Sequence, residues 1–148
     1  MNANVENNKQ YVIFKLEDEF YGVPITFVET IEKVTEITRV PNSPHYVKGV
    51  INLRGEVVPV IDLRRRFQFQ DKELTEESRI IVLALEDINV GFLVEGSSEV
   101  LTIEPDDIDK TTNFVNSFDD DYISGIGKVK DRMIIIVNIY KILGIEAN

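Results

Sequence analysis

The chain has 148 residues, 43% of them hydrophobic, with eight glycines and five prolines, the composition of one globular domain or of two small lobes able to bury a core. A formal net charge of -10 works against binding a phosphate backbone, which needs clustered Lys and Arg, and favours solubility and basic partners. No cysteine is present, so disulfides and thiolate metal sites are excluded. The N-terminus has no signal-peptide core, and apolar runs such as 133–137 are far shorter than the roughly 20 residues that cross a bilayer. These features predict a cytoplasmic protein with no direct membrane contact and no nucleic-acid partner.

Residues 1–10 are polar and Asn-rich and read as a disordered leader. Residues 11–16 and 20–25 flank the acidic break Glu17-Asp18-Glu19 and predict a first hairpin. Thr26 is placed to cap a helical turn carrying Phe27, Ile31 and Val34, although β-branched content over 28–40 is equally compatible with a strand. Pro41 and Pro44 mark a loop. The most organised stretch follows, residues 49–67, where runs 50–53 and 57–63 face each other across Arg54-Gly55. A glycine at a two-residue reversal supplies the positive φ that such turns require, so this is a hairpin with an arginine at its tip. Residues 68–78 are polar and separate it from a β-rich run starting at Ile80.

The chain then repeats itself. Residues 12–34 match 81–103 at an offset of 69, aligning Leu16-Glu17-Asp18 and Gly22 with Leu85-Glu86-Asp87 and Gly91. Residues 46–63 match 122–139 at an offset of 76, aligning Tyr46, Gly49 and Asp62 with Tyr122, Gly125 and Asn138. The extra length of the second copy falls in the acidic stretch 104–121, where insertion costs little. Each copy holds about five short strands, and a sheet of that size curls to remove its edges. The expected fold is all-β: two small five-stranded β-barrel subdomains side by side, related by an internal repeat, with a short helical turn. The expected domains are a leader over 1–10 and a single domain over 11–148, built from a first repeat over 11–70 and a second over 79–143, with strand exchange between them compatible with the pattern.

The residues that chemistry would use are sparse. The only histidine, His45, has no recognisable orienting partner, nucleophile or metal set beside it, and Asp121 stands at its place in the second copy. Glu17-Asp18 recurs as Glu86-Asp87, and a pair duplicated with the scaffold reads as a turn rather than as an acid/base couple. Gly125 and Gly127 lack the Lys-Ser pair of a phosphate loop. Asp62 lies among apolar neighbours, where a charge is costly unless hydrogen-bonded; Asn138 at the equivalent point favours a structural role. The run Arg64-Arg65-Arg66 reads as a solvated strand end. No catalytic residue, metal site or cofactor is expected. Arg54 stands apart, because arginine on a rigid tip is the residue type most enriched where interfaces concentrate their energy.

With Tyr21-Gly22, the run 49–63 (GVINLRGEVVPVIDL) and the closing run 131–139 (DRMIIIVNI), residues 10–143 closely resemble the CheW family of bacterial chemotaxis coupling proteins. The resemblance implies two five-stranded barrels, in agreement with the repeat. It also implies a non-catalytic cytoplasmic scaffold that links the cytoplasmic tips of methyl-accepting chemoreceptors to the histidine kinase CheA, whose regulatory domain shares the fold. It further implies receptor binding by Val28, Gly49, Arg54 and Val100 in a groove between the lobes. Arg79 stands where relatives often carry an apolar residue, and the sequence ends at Asn148 without the longer C-terminal helix of some relatives. The alternatives are the kinase's own regulatory domain, a similar module of another two-component pathway, and an oligonucleotide-binding small barrel, the last opposed by the acidic charge.

Overall fold

The computed structural model describes residues 9–110 and 122–145. Most of the expected leader and the acidic segment 111–121 therefore lie outside the described residues. The strands are β1 (Gln10–Leu16), β2 (Glu19–Pro24), β3 (Val28–Lys33), β4 (Val47–Leu53), β5 (Glu56–Asp62), β6 (Arg79–Ala84), β7 (Asn89–Val94), β8 (Gly96–Thr102), β9 (Ile108–Asp109), β10 (Ile123–Val129) and β11 (Arg132–Val137). Two short α-helices, α1 (Leu63–Arg66) and α2 (Ile139–Leu143), and two 3₁₀ turns, Ile25–Phe27 and Pro105–Asp107, complete the regular structure of the described residues. The architecture is all-β, as the short β-rich runs require.

The strands form two sheets, and the chain divides into two compact units. A central unit, Phe27–Ser97, holds the sheet β3-β6-β7-β5-β4 around Ile51, Val58, Val60, Ile80, Val82 and Leu93. A terminal unit combines the described residues up to Thr26 with those from Ser98 onward. It holds the sheet β8-β1-β2-β11-β10-β9 around Ile13, Ile103, Ile134 and Ile136. The central sheet has the expected five strands and the terminal sheet has six, because the short β9 adds to β10, and each burial cluster is aliphatic because β-branched residues pack well on a pleated surface.

The repeat is visible in the pairing registers. Gly22 opposes Ile13 in the antiparallel β1–β2 hairpin and Ile136 in the parallel pair β2–β11. Gly91 opposes Val82 in β6–β7 and Val60 in the parallel pair β5–β7, and every one of these partners is related by the two sequence offsets. The second hairpins match too: Gly49 faces Val60 and Gly125 faces Ile136, each beside a register shift at its start. The compact units nevertheless cut across the repeats 11–70 and 79–143. The first hairpin of each copy pairs with the second hairpin of the other, because β2 and β7 take their parallel neighbours, β11 and β5, from the opposite copy.

Local chemistry explains the departures from the sequence reading. After a 3₁₀ turn over Ile25–Phe27 the chain enters β3 rather than a helix, as Val28, Thr30 and Ile31 favour. The basic run is not a strand end. Asp62 Oδ1 accepts hydrogen bonds from the Arg64 and Arg65 N–H groups at 3.0 and 3.4 Å and starts α1, an ordinary N-cap. Arg64 is then drawn inward, 8% exposed, with Nη1 2.7 Å from Glu95 Oε2 and Nε 2.7 Å from the Gln70 carbonyl. Asn138 caps α2 in the same way, accepting from the Lys141 N–H at 3.2 Å, so the structural reading of Asp62 stands.

Gly49 is fixed by close approach. Its φ is 153°, and a Cβ there would run into the Thr38 carbonyl and come within 2.8 Å of Ile37 Cγ2. Gly49→Ala is expected to destabilise the fold by more than about 1 kcal/mol, seen as a lower urea midpoint at unchanged slope. An unchanged midpoint would mean that the Thr38 segment yields freely.

Candidate functional site

The β4–β5 turn presents Arg54. Arg54 and Gly55 both take positive φ, 53° and 87°, and the Gly55 N–H donates to Asn52 Oδ1 at 2.9 Å, which closes the reversal. The Arg54 side chain is 65% exposed, and its Nη2 lies 3.7 Å from Glu32 Oε2 on β3. The same carboxylate oxygen accepts from Thr30 Oγ1 at 2.8 Å. An exposed pair at this distance contributes about 0–1 kcal/mol, so it orients the guanidinium without committing it, and a competing carboxylate can take it over.

Of the four residues expected to form a binding surface, the structure brings two to one strand. Val28 opens β3, an edge strand, half-buried opposite Leu83, and Arg54 reaches Glu32 further along that strand. Gly49 is buried in β4 and offers no side chain, so its influence on any partner runs through the path of β4. Val100 belongs to the terminal unit, where it stands 46% exposed on β8, the edge strand of that sheet. Its counterpart at the offset of 69 is Ile31 on β3, 40% exposed. Sequence reasoning passed over Ile31, although the repeat offset was the signal that pointed to it.

A second pair was also missed. Val57 and Met133, equivalent at the offset of 76, are 69% and 59% exposed and stand second in the second strand of each repeat's second hairpin. Val57 borders a shallow cleft with Leu85 and Ile88. Beside Met133, the Arg132 guanidinium grips Glu99 through Nη2 and Nη1 at 2.7 and 3.1 Å and lies 4.6 Å from the centre of the Phe20 ring. The Arg132 hydrogen bonds hold the Glu99 carboxyl below the usual glutamate range, and the same bonds push the guanidinium further up.

The remaining candidates are structural or exposed. His45 is exposed, and its carbonyl accepts from Arg65 Nη1 at 3.2 Å; Arg66 stacks 4.1 Å over the Tyr46 ring. No group of three or more His, Asp or Glu positioned to hold a metal occurs among the described residues, and no described helix is long and apolar enough to cross a membrane.

Residues 10–147 match the CheW-like domain. The chain belongs to the CheW-like family. It is 36% identical over 148 residues to the chemotaxis protein CheW of Bacillus subtilis, covering 100% of this chain and 95% of that one. To the CheW of Klebsiella aerogenes it is 38% identical over 138 residues, covering 93% and 83%. Among solved structures, the scaffolding protein TtCheW of Thermoanaerobacter tengcongensis aligns with a TM-score of 0.83 at 35% identity, over 95% of this chain and 90% of that chain. The two-unit all-β architecture is therefore a property of the CheW-like family and not only of this sequence.

The Glu99–Arg132 pair gives a pH-dependent expectation. A carboxyl with a depressed folded value contributes stability above the ordinary glutamate range and loses it as pH falls through the lowered value. Because both side chains are about a third exposed, solvent screening limits the contribution to at most about 1 kcal/mol. Glu99→Gln should lower the unfolding free energy at pH 7 by that amount or less, with the difference from wild type shrinking in acid; a difference that grows in acid would contradict this.

Proposed function

We propose that this chain is a non-catalytic chemotaxis scaffold that couples chemoreceptors to the histidine kinase CheA in the cytoplasm. The observation that carries this reading is the alignment with proteins named chemotaxis protein CheW along nearly the full length of both chains, with the two-unit fold retained. The surface chemistry fits the role. Exposed aliphatic side chains on edge strands, an orientable arginine and exposed apolar residues at hairpin ends are features of protein-binding surfaces, and arginine and aromatic groups concentrate interface energy.

In this proposal the receptor's cytoplasmic tip binds through Val28, Arg54 and Val100, with Gly49 setting the course of β4. A helical tip lays apolar side chains on the valines, and Arg54 leaves Glu32 for a receptor carboxylate. Arg54→Glu is expected to leave the fold intact, since the side chain is exposed, and to weaken receptor binding by about 1–3 kcal/mol. Co-sedimentation with a receptor cytoplasmic fragment measures this, and unchanged binding by the folded variant would reduce Arg54 to a solvated turn residue.

The kinase's regulatory domain docks at a hairpin end, where Val57 and Met133 occupy equivalent exposed positions, so that receptor and kinase are held together. Such an interface needs about 1,000 Å² or more of buried surface. A competition titration checks it: saturating receptor fragment should leave the kinase domain bound, and displacement would rule out bridging.

A further inference from the structure

The central unit contains a cationic cavity of about 750 Å³ that the scaffold reading leaves unused. Arg39, Lys48 and Arg65 line it, and no aspartate or glutamate is among the described lining residues. Arg65 is already engaged: its Nε lies 3.2 Å from Asp71 Oδ1 and 3.7 Å from Asp62 Oδ2. The Arg65 hydrogen bond holds the exposed Asp71 carboxyl below the usual range, and the nearby Lys48 charge adds to that pull. Arg39 and Lys48 form no ion pair among the described residues. In a chain of net charge -10, two cations that form no direct ion pair on one cavity wall, with the Asp71 carboxyl near Lys48 already held by Arg65, are a local exception.

The wall that carries them is held in place. Thr38 and Val50 exchange both backbone hydrogen bonds, at 2.9 and 2.8 Å, which ties the Arg39 segment to β4 and Lys48. The rim between Pro41 and Pro44 is stiffened by the Ser43 Oγ bond to the Val40 carbonyl at 2.8 Å and by the Val47 N–H bond to the Pro44 carbonyl at 2.9 Å. In the terminal unit, where Asp109 pairs with Ile126 as Thr38 pairs with Val50, Lys110 follows as Arg39 does but Ser124 replaces Lys48, and the neighbouring pocket is lined also by Ile103, Ile108 and Ile136, so among the described residues the pairing of two cations on one wall is particular to the central unit.

We propose that this cavity is a docking site for an acidic, extended peptide segment of a protein partner, whose carboxylates meet Arg39 and Lys48 while its aliphatic side chains meet Ile37 and Val47. The mixed lining decides the class of ligand. A bare phosphate is held by donors converging on one point, commonly successive backbone N–H groups, whereas here cationic side chains from separate segments share the wall with aliphatic ones. A nucleic acid would extend beyond the cavity onto an acidic protein. β4, which supplies Val47 and Lys48, is the last strand of its sheet, and because its outer edge is already bridged at Val50 by the Thr38 segment, the peptide is held by side chains of the cavity wall rather than as an added strand. The inference is independent of the scaffold reading, because the cavity uses none of the residues assigned to receptor or kinase.

Fluorescence anisotropy of a short labelled peptide of glutamates interspersed with leucines tests it on the intact protein. The expected result is saturable binding that weakens with added salt and falls about tenfold or more in Arg39→Glu/Lys48→Glu. The charge-preserving Arg39→Lys/Lys48→Arg and the distant Lys128→Glu should keep wild-type affinity. If the double Glu variant does not fold by circular dichroism, Arg39→Gln/Lys48→Gln serves in its place with the same direction of change. Absence of binding, equal binding by the charge-altered variants, or equal binding of a peptide with lysines for glutamates would overturn the proposal.

Discussion

The parallel pairing of strands from hairpins of opposite repeats is the constraint on which the rest of the molecule depends. β2 lies along β11 and β7 lies along β5, with Gly22 and Gly91 at corresponding points of the two junctions. At Gly91 there is no room for a side chain, because a Cβ would sit 2.6 Å from Ile80 Cγ2. Each junction joins hairpins from opposite repeats, and the terminal unit closes only when β2 and β11, from the two ends of the chain, have met. Such non-local topology costs loop entropy before contacts repay it, which predicts slow folding relative to a hairpin-by-hairpin design.

Once the junctions are made, the surface follows from the repeat. The edge strands β3 and β8 occupy corresponding places in the two sheets and display Ile31 and Val100. The second hairpins display Val57 and Met133. A duplicated scaffold thus yields pairs of similar adhesive positions, and divergence between the copies decides what each one binds. Arg54 and Lys130 occupy equivalent turns, both at positive φ, but Arg54 is oriented by Glu32 on its own edge strand, while in the terminal unit the strong ion pair has moved to Arg132 and Glu99.

The all-β class, the Arg54 hairpin and the repeat were legible in the sequence, because turn glycines and alternating β-branched residues encode them locally. Asp62 and Asn138 were legible as structural for the same reason: a capping side chain acts on N–H groups two or three residues away. Routing between the hairpins was not legible, since offset alignment reports that two segments are alike and not which segments pair. The burial of Arg64 was hidden because its anchor, Glu95, is 31 residues away in sequence. The exposure of Val57 and Met133 was equally hidden, as both are apolar residues in strongly apolar strands. Of the candidate site, Arg54 was legible as a tip residue and Val28 and Val100 only through resemblance, while the cationic cavity draws Arg39, Lys48 and Arg65 together across a fold the sequence does not display.

The central claim is that the folding units are the interlocked ones and not the sequence repeats. The most direct test compares two fragments, residues 27–97 and residues 11–70, by circular dichroism and urea unfolding. Residues 27–97 contain the complete sheet β3-β6-β7-β5-β4 with its parallel junction and should unfold in a single cooperative transition. Residues 11–70 contain two hairpins whose parallel neighbours are missing and should show no cooperative transition. A cooperative fold for 11–70 alongside an unfolded 27–97 would contradict the account.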